Sequence, residues 1–204
     1  LIKPKSESLE SLIGGRLFTL GGGILLLLST AFFVVWSWRY LDLPAWSRVA
    51  LLHSLGLAVI IVAGWFKRRS LELHSHVLYG VGIFSLYASG LAMTHSYKLG
   101  APHEQVWGFL DGALITALAI GISLRNKSVG IILLGAVGGY ITPFVTLQGS
   151  DPVITFSYLA FLNIALIVSA HLGKWSFLQQ LAWVVTAIIF LPAITNFPFG
   201  NFVQ

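Results

Sequence analysis

Cysteine is absent from the chain, which excludes disulfides, thiolate metal sites and cysteine nucleophiles. Charge is nearly as scarce. Only 9% of the 204 residues are charged, against roughly a quarter in soluble domains, so a water-solvated surface is not what this composition builds. Catalytic signatures are missing too: no P-loop, no H-E-x-x-H and no G-x-S-x-G is present. Gly21-Gly22-Gly23 lies inside an apolar run after no strand and is not a nucleotide loop. There is no arginine ladder of the kind that senses voltage, and no clear inverted repeat of the transporter type. No cofactor is expected on these grounds.

What is present is apolar. Hydrophobic residues make up 56% of the chain and the mean hydropathy is +0.86. Crossing about 30 Å of hydrocarbon takes about 20 mostly apolar residues. Seven windows qualify: residues 17–38, 47–66, 77–97, 105–124, 129–147, 152–172 and 177–195. The expected fold is therefore an all-α bundle of seven transmembrane spans over residues 17–204. Short separators carrying charge or helix breakers, such as Asp42 to Pro44 and Lys67 to Arg69, make successive helices antiparallel neighbours. Residues 1–16 alternate Lys3, Lys5, Glu7 and Glu10 with Leu9, Leu12 and Ile13, which suits a short interfacial segment. The one methionine is Met93 and residue 1 is Leu, so a fragment or processed chain is expected.

Orientation follows from the basic residues. Lys3, Lys5, Arg16, Lys67, Arg68, Arg69, Arg125, Lys127 and Lys174 fall on one side of the seven-span arrangement, and Arg39, Arg48 and Lys98 on the other. Nine against three places the N-terminus in the cytoplasm and the C-terminus outside. The formal net charge of +5 is thus a topology signal and an attraction to anionic lipid headgroups, not a nucleic-acid footprint. Six of the seven tryptophans fall at window ends, and Trp183 sits within the seventh.

In lipid, helices associate by close packing of small residues and by interhelical hydrogen bonds. The third window carries a stripe at Gly82, Ser85, Ser89, Ala92 and Ser96. The fourth carries Gly108, Gly112 and Thr116, and the fifth Gly135, Gly138 and Gly139 with a G-x-x-x-G. Windows three to five are expected to form a packed trio. Pro143 and Pro192 are expected to kink the ends of the fifth and seventh helices, and Asp151 to cap the sixth.

Ionisable groups within a membrane are costly and draw attention as sites. Asp111 lies about two turns into the fourth window; it serves either as a proton or cation site or as a shallow carboxylate bonded to Ser, Thr or His on the third span. The second role is preferred, since the side chain lies only about 9 Å from the interface at 1.5 Å per residue. His53 and His95 occupy the same half of the bundle, and with Asp111 they make a conceivable metal or proton-relay set. No spacing requires three separate helices to converge, so isolated polar contacts are expected and no metal. Asn163, central in the sixth window, must bond another helix. His74 and His76 flank Ser75 where the third span starts, at a spacing that shares no helical face, and are expected in a solvated loop, as is His103.

Leu133-Leu134-Gly135-Ala136-Val137-Gly138-Gly139-Tyr140-Ile141-Thr142-Pro143-Phe144, then Tyr158 and Leu162-Asn163, then Lys174-Trp175, resemble the predicted bacterial membrane proteins of domain-of-unknown-function family 2339. Gly14-Gly15-Arg16 before the first span and Lys67-Arg68-Arg69 after the second fit the same pattern. The resemblance implies a bacterial inner-membrane location and the N-terminal part of a larger bundle, and it implies no activity. Three functions stay open: a non-enzymatic structural or accessory part of a larger assembly, with lipids and other membrane subunits as partners; a transporter or channel segment with a polar path near Asp111; and a membrane-embedded transferase using His95 or His103 as base.

Overall fold

The structure is a computed structural model that describes residues 17–96, 104–146 and 152–195. Among these residues every regular element is helical. Seven helices follow one another: α1 (Phe18–Tyr40), α2 (Ala45–Arg68), α3 (Glu72–Leu91, continued by a π-helical turn over Ala92–Ser96), α4 (Glu104–Asn126), α5 (Val129–Thr146), α6 (Pro152–Gly173) and α7 (Ser176–Thr195). Five of them, α1, α2, α3, α4 and α6, are long and apolar enough to cross a membrane; over the residues searched, α5 and α7 are apolar for the shorter stretches Val129–Thr142 and Ser176–Ile188. The interfacial segment expected over 1–16, His103 and the Asp151 cap all fall outside the described residues.

α3 starts five residues before the window that announced it. His74, Ser75 and His76 depress the local hydropathy, but they belong to the first turns of α3 and not to a solvated loop. Ser75 is fully buried and its hydroxyl donates to the Ala63 carbonyl of α2 at 2.9 Å, while His74 Nε2 is 3.0 Å from Thr19 Oγ1 of α1. Neighbouring helices supply the partners that water would otherwise supply.

Three turns repeat one termination. Ser70, Lys127 and Lys174 adopt left-handed backbone after α2, α4 and α6. In each case the next amide donates to a carbonyl five residues earlier: Leu71 to Phe66 (3.2 Å), Ser128 to Ser123 (3.1 Å) and Trp175 to Ala170 (2.9 Å). This is the Schellman arrangement, which satisfies orphan carbonyls at a helix end. The three turns gather at one end of the bundle: Lys67 beside the first bonds Asn126 beside the second, and α4 and α6 run side by side from Phe109 and Tyr158 towards the second and third. Leu71, Val129 and Ser176 follow within two residues to begin or cap the next helix.

α3 is the hub. Of its membrane-crossing window 67% is buried, against 6% for α1 at the periphery. It packs on α1, α2, α4 and α5, while α6 joins α4 and α5 and carries α7 on its far side. α3, α4 and α5 pack on one another as expected, while the stripe of small residues on α3 turns towards α2 and α1, with Gly82 against Ile60, Ser89 at His53 and Ser85 at Thr30. Gly56 and Gly82 bring the α2 and α3 backbones together, since a Cβ on Gly82 would lie 3.0 Å from the Gly56 carbonyl oxygen and one on Gly56 3.2 Å from that of Gly82. Trp183 is 67% exposed on the outer face of α7, directed at lipid and not at the core.

Candidate functional site

Besides the Thr19–His74 and Thr30–Ser85 contacts between α1 and α3, the described polar side chains form two larger groups within the bundle. The first joins α2, α3 and α4. His53 leaves α2 one turn after Val49 and puts its ring between the other two helices. Its Nε2 donates to Asp111 Oδ1 of α4 at 3.1 Å. Its Nδ1 lies 2.7 Å from Ser89 Oγ of α3 and 3.2 Å from the Val49 carbonyl. With the proton on Nε2, the ring accepts the Ser89 hydroxyl at Nδ1, and one imidazole ties three helices together. The partner of Asp111 is thus a histidine of the second span and not a residue of the third. Convergence of His53 with Asp111 also replaces the isolated contacts expected of them.

Small residues make the approach possible. A Cβ on Gly90 of α3 would collide with Asp111 Oδ2, so only glycine lets the carboxylate lie against α3. That oxygen is buried and makes no hydrogen bond to the described residues. It borders a cavity with Tyr87, Gly108, Gly112 and Thr142. The cavity leaves about 10 Å³ for the centre of a water molecule, the lower limit for holding one.

Across that cavity a further set of bonds centres on Tyr87. Its hydroxyl donates to the Gly135 carbonyl of α5 at 3.0 Å and accepts from Thr116 Oγ1 of α4 at 2.8 Å, with the Thr116 hydroxyl also 2.7 Å from the Gly112 carbonyl. Tyr158 of α6 brings its buried hydroxyl beside Thr116 and Thr142, without a well-formed hydrogen bond. The glycines of α5 fit around these groups: Gly138 lies under the Tyr87 ring, Gly135 against Ala119 of α4, and Gly139 against Leu162 and Thr116. Gly112 occupies the same layer, where a Cβ would meet Thr142.

Asn163 belongs to the second group, between α5, α6 and α7. Its Oδ1 accepts from Tyr140 Oη at 2.7 Å and from Thr186 Oγ1 at 3.0 Å. It shares no cavity with Asp111: the space beside it is lined by Ile167, Ala182, Trp183 and Thr186. The side chains of His95 and Pro143 are outside the described ones, although both backbones are helical. Among the described residues no group of three His, Cys, Asp or Glu is placed to hold a metal.

The order Ser89–His53–Asp111 has the composition of a catalytic triad, so its chemistry must be weighed. A nucleophilic serine needs access for a carbonyl and donors for the oxyanion. Ser89 is fully buried, and it lies mid-helix, where neighbouring amides are engaged in the helix ladder. The adjoining cavity admits about one water. The arrangement suits fixing helix rotation and holding a proton; it does not suit acyl transfer. Sequence reasoning missed Tyr87, Tyr140, Thr186 and Gly90 as members of these networks. A tyrosine within a span is the one signal that pointed to them, because its hydroxyl requires a partner there.

The comparisons are consistent with this architecture. No curated protein and no solved structure matches the chain. The family model described as "Predicted membrane protein (DUF2339)" matches residues 14–199, a span that takes in all seven helices and both polar groups, and the chain belongs to that family.

Proposed function

We propose that the chain is a non-enzymatic structural or accessory unit of a larger membrane assembly. It crosses the bacterial inner membrane seven times, with the N-terminus cytoplasmic and the C-terminus outside. One observation carries the reading: the described intramembrane polar side chains hydrogen-bond across helix contacts at separate places, and the space beside Asp111 is about 10 Å³. A conduit needs a continuous wet path, whereas helix packing needs bonds of this kind. Lengths support seven crossings, since the 18 residues of α5 and the 20 of α7 reach about 27 and 30 Å at 1.5 Å per residue. The nine-to-three distribution of basic residues supports the orientation. A reporter fused after Gln204 is expected outside the cytoplasm; a cytoplasmic reporter would remove or add a crossing.

A second reading, a proton or cation site in a transport path, is favoured by the buried Asp111 Oδ2 that lacks a partner among the described residues. Reconstitution separates the two. Under the structural reading, vesicles containing the wild-type chain and the Asp111→Asn variant show the same proton and cation flux as empty vesicles. Flux present with the wild type and lost with Asp111→Asn would overturn it in favour of transport.

A further inference from the structure

α2 and α4 flank α3, and at the end where the tight turns gather they diverge around a cavity of about 640 Å³. Its floor is Tyr79 of α3, its walls are Ile61, Gly64 and Trp65 of α2, and its rim is Lys67, Arg68, Arg125 and Asn126. We propose that this cavity binds the headgroup phosphate of an anionic phospholipid, with the acyl chains running down the Ile61 face into the bilayer.

The rim is basic. Lys67, Arg68 and Arg125 bring three positive charges to one rim. Two helix C-termini also end there, each worth roughly half a negative charge, so the balance remains strongly positive. None of the three cations forms an ion pair with a carboxylate among the described residues. Glu72, the one described acid at this end, forms none either. Polarity also falls with depth into the cavity. Ile61 is 72% exposed and Trp65 53% exposed, so the cavity opens onto lipid-facing surface below its basic rim. Trp65 and Tyr79 supply the amphipathic rings that lie at headgroup level. The rim is preorganised as well. Lys67 Nζ donates to Asn126 Oδ1, and Asn126 Nδ2 donates to the Ile122 carbonyl at 2.7 Å, which links α2 to α4 across the rim. The Tyr79 hydroxyl, beside Gly64, has no hydrogen-bond partner among the described residues and is left to donate to a ligand oxygen. A phosphodiester satisfies these donors, and a zwitterionic headgroup would bring its own cation against the basic rim. A volume of this size suits a headgroup with its glycerol, within the range of small-ligand sites.

The test is native mass spectrometry of the full chain in mild detergent, titrated with phosphatidylglycerol, with phosphatidylcholine, or with inorganic phosphate. Phosphatidylglycerol is expected to be retained in preference to phosphatidylcholine. Arg125→Gln should weaken that retention about fivefold, and Arg68→Gln with Arg125→Gln about 25-fold, if each charge acts as basic residues do near anionic lipid. Gly64→Val should weaken it by filling the cavity without changing charge. Lys127→Gln, at the same end but off the rim, and Arg39→Gln, at the other end, should leave it within about twofold. Equal loss with Lys127→Gln and Arg125→Gln would reduce the effect to general surface charge and overturn the site. Equal retention of the two lipids would also overturn it. Displacement by inorganic phosphate at comparable concentration would make the ligand a soluble phosphate and overturn the lipid assignment.

Discussion

Gly138→Ala adds one methyl group to α5 directly beneath the Tyr87 ring. The new Cβ would lie 2.8 Å from Tyr87 Cζ and closer still to Cδ2 and Cε2, where relaxed carbon contacts sit at about 3.5–4.0 Å. The ring must move by about 1 Å to restore that distance. Tyr87 is buried on both sides, and its hydroxyl is held at 2.8 Å from Thr116 and 3.0 Å from the Gly135 carbonyl. A shift of that size breaks both bonds, each worth about 0.6 kcal/mol within a bilayer. Overpacking adds about 1–3 kcal/mol, and the better helix propensity of alanine returns about 1 kcal/mol. The net expectation is a loss of about 1–3 kcal/mol. Gly121→Ala is the matched control, because nothing lies within 4 Å of its added Cβ, and it should be neutral or stabilising by up to about 1 kcal/mol. Thermal unfolding in mild detergent reads the contrast: at about 2–4 °C per kcal/mol, Gly138→Ala should melt several degrees below Gly121→Ala. In a Tyr87→Leu background most of the Gly138→Ala cost should vanish, since the two positions share one contact. A Gly138→Ala variant as stable as wild type, or a cost unchanged by Tyr87→Leu, would refute the placement of that ring.

The two polar groups make parallel predictions. Asp111→Asn keeps an acceptor for His53 and should change stability by less than about 1 kcal/mol, whereas Asp111→Leu strands the imidazole donor and should cost about 1–3 kcal/mol. Equal losses for the two variants in the same unfolding assay would mean that the His53–Asp111 bond is not made. Asn163→Leu removes the acceptor of both Tyr140 and Thr186 and should cost about 1 kcal/mol. Combined with Tyr140→Phe, it should cost less than the sum of the two single changes; strict additivity would place Tyr140 elsewhere.

The sequence gives up the helices readily and their faces poorly, for a physical reason. A crossing helix needs about 20 apolar residues whatever it packs against, so the seven windows agree with the seven helices to within a few residues at most boundaries. α3 departs by five because Ser75 and His74 find partners on α2 and α1, which hydropathy cannot anticipate. Rotation about the helix axis is the harder quantity. In soluble helices an apolar stripe reveals the buried face, but in lipid both faces are apolar and the stripe fades. Small residues replace it as a marker. They located Gly135, Gly138 and Gly139 as contact positions, yet they did not say that Tyr87, Ala119 and Leu162 would fill the space opposite. The same loss hides His53 and Asp111. Each is visible as a costly group in a span, and their meeting depends on the azimuths of α2 and α4 together with the absence of a side chain at Gly90. Asn163 was legible as an amide that must be bonded; its donors Tyr140 and Thr186 were not, since any hydroxyl on a neighbouring helix would have served.

α5 explains why both polar groups can exist in one bundle. Its Gly135 carbonyl accepts Tyr87 on the side facing α3 and α4, and its Tyr140 hydroxyl reaches Asn163 on the side facing α6 and α7. The helix therefore differs from side to side: Gly135 and Gly138 lie against α4 and α3, Tyr140 points to Asn163, and Gly139 fits between Thr116 of α4 and Leu162 of α6. The apolar packing divides in the same way, with Ile131 in the cluster built on α2, α3 and α4, and Ile132, Ala136 and Tyr140 in the cluster built on α6 and α7. Turning α5 by one residue, about 100°, would present Tyr140 or Ile132 to the closely packed side and leave Tyr87 and Asn163 each short of a partner. The two hydrogen-bonded groups thus specify one rotation of α5 between them, which apolar surface alone, equally content in lipid or against a neighbour, would leave undetermined.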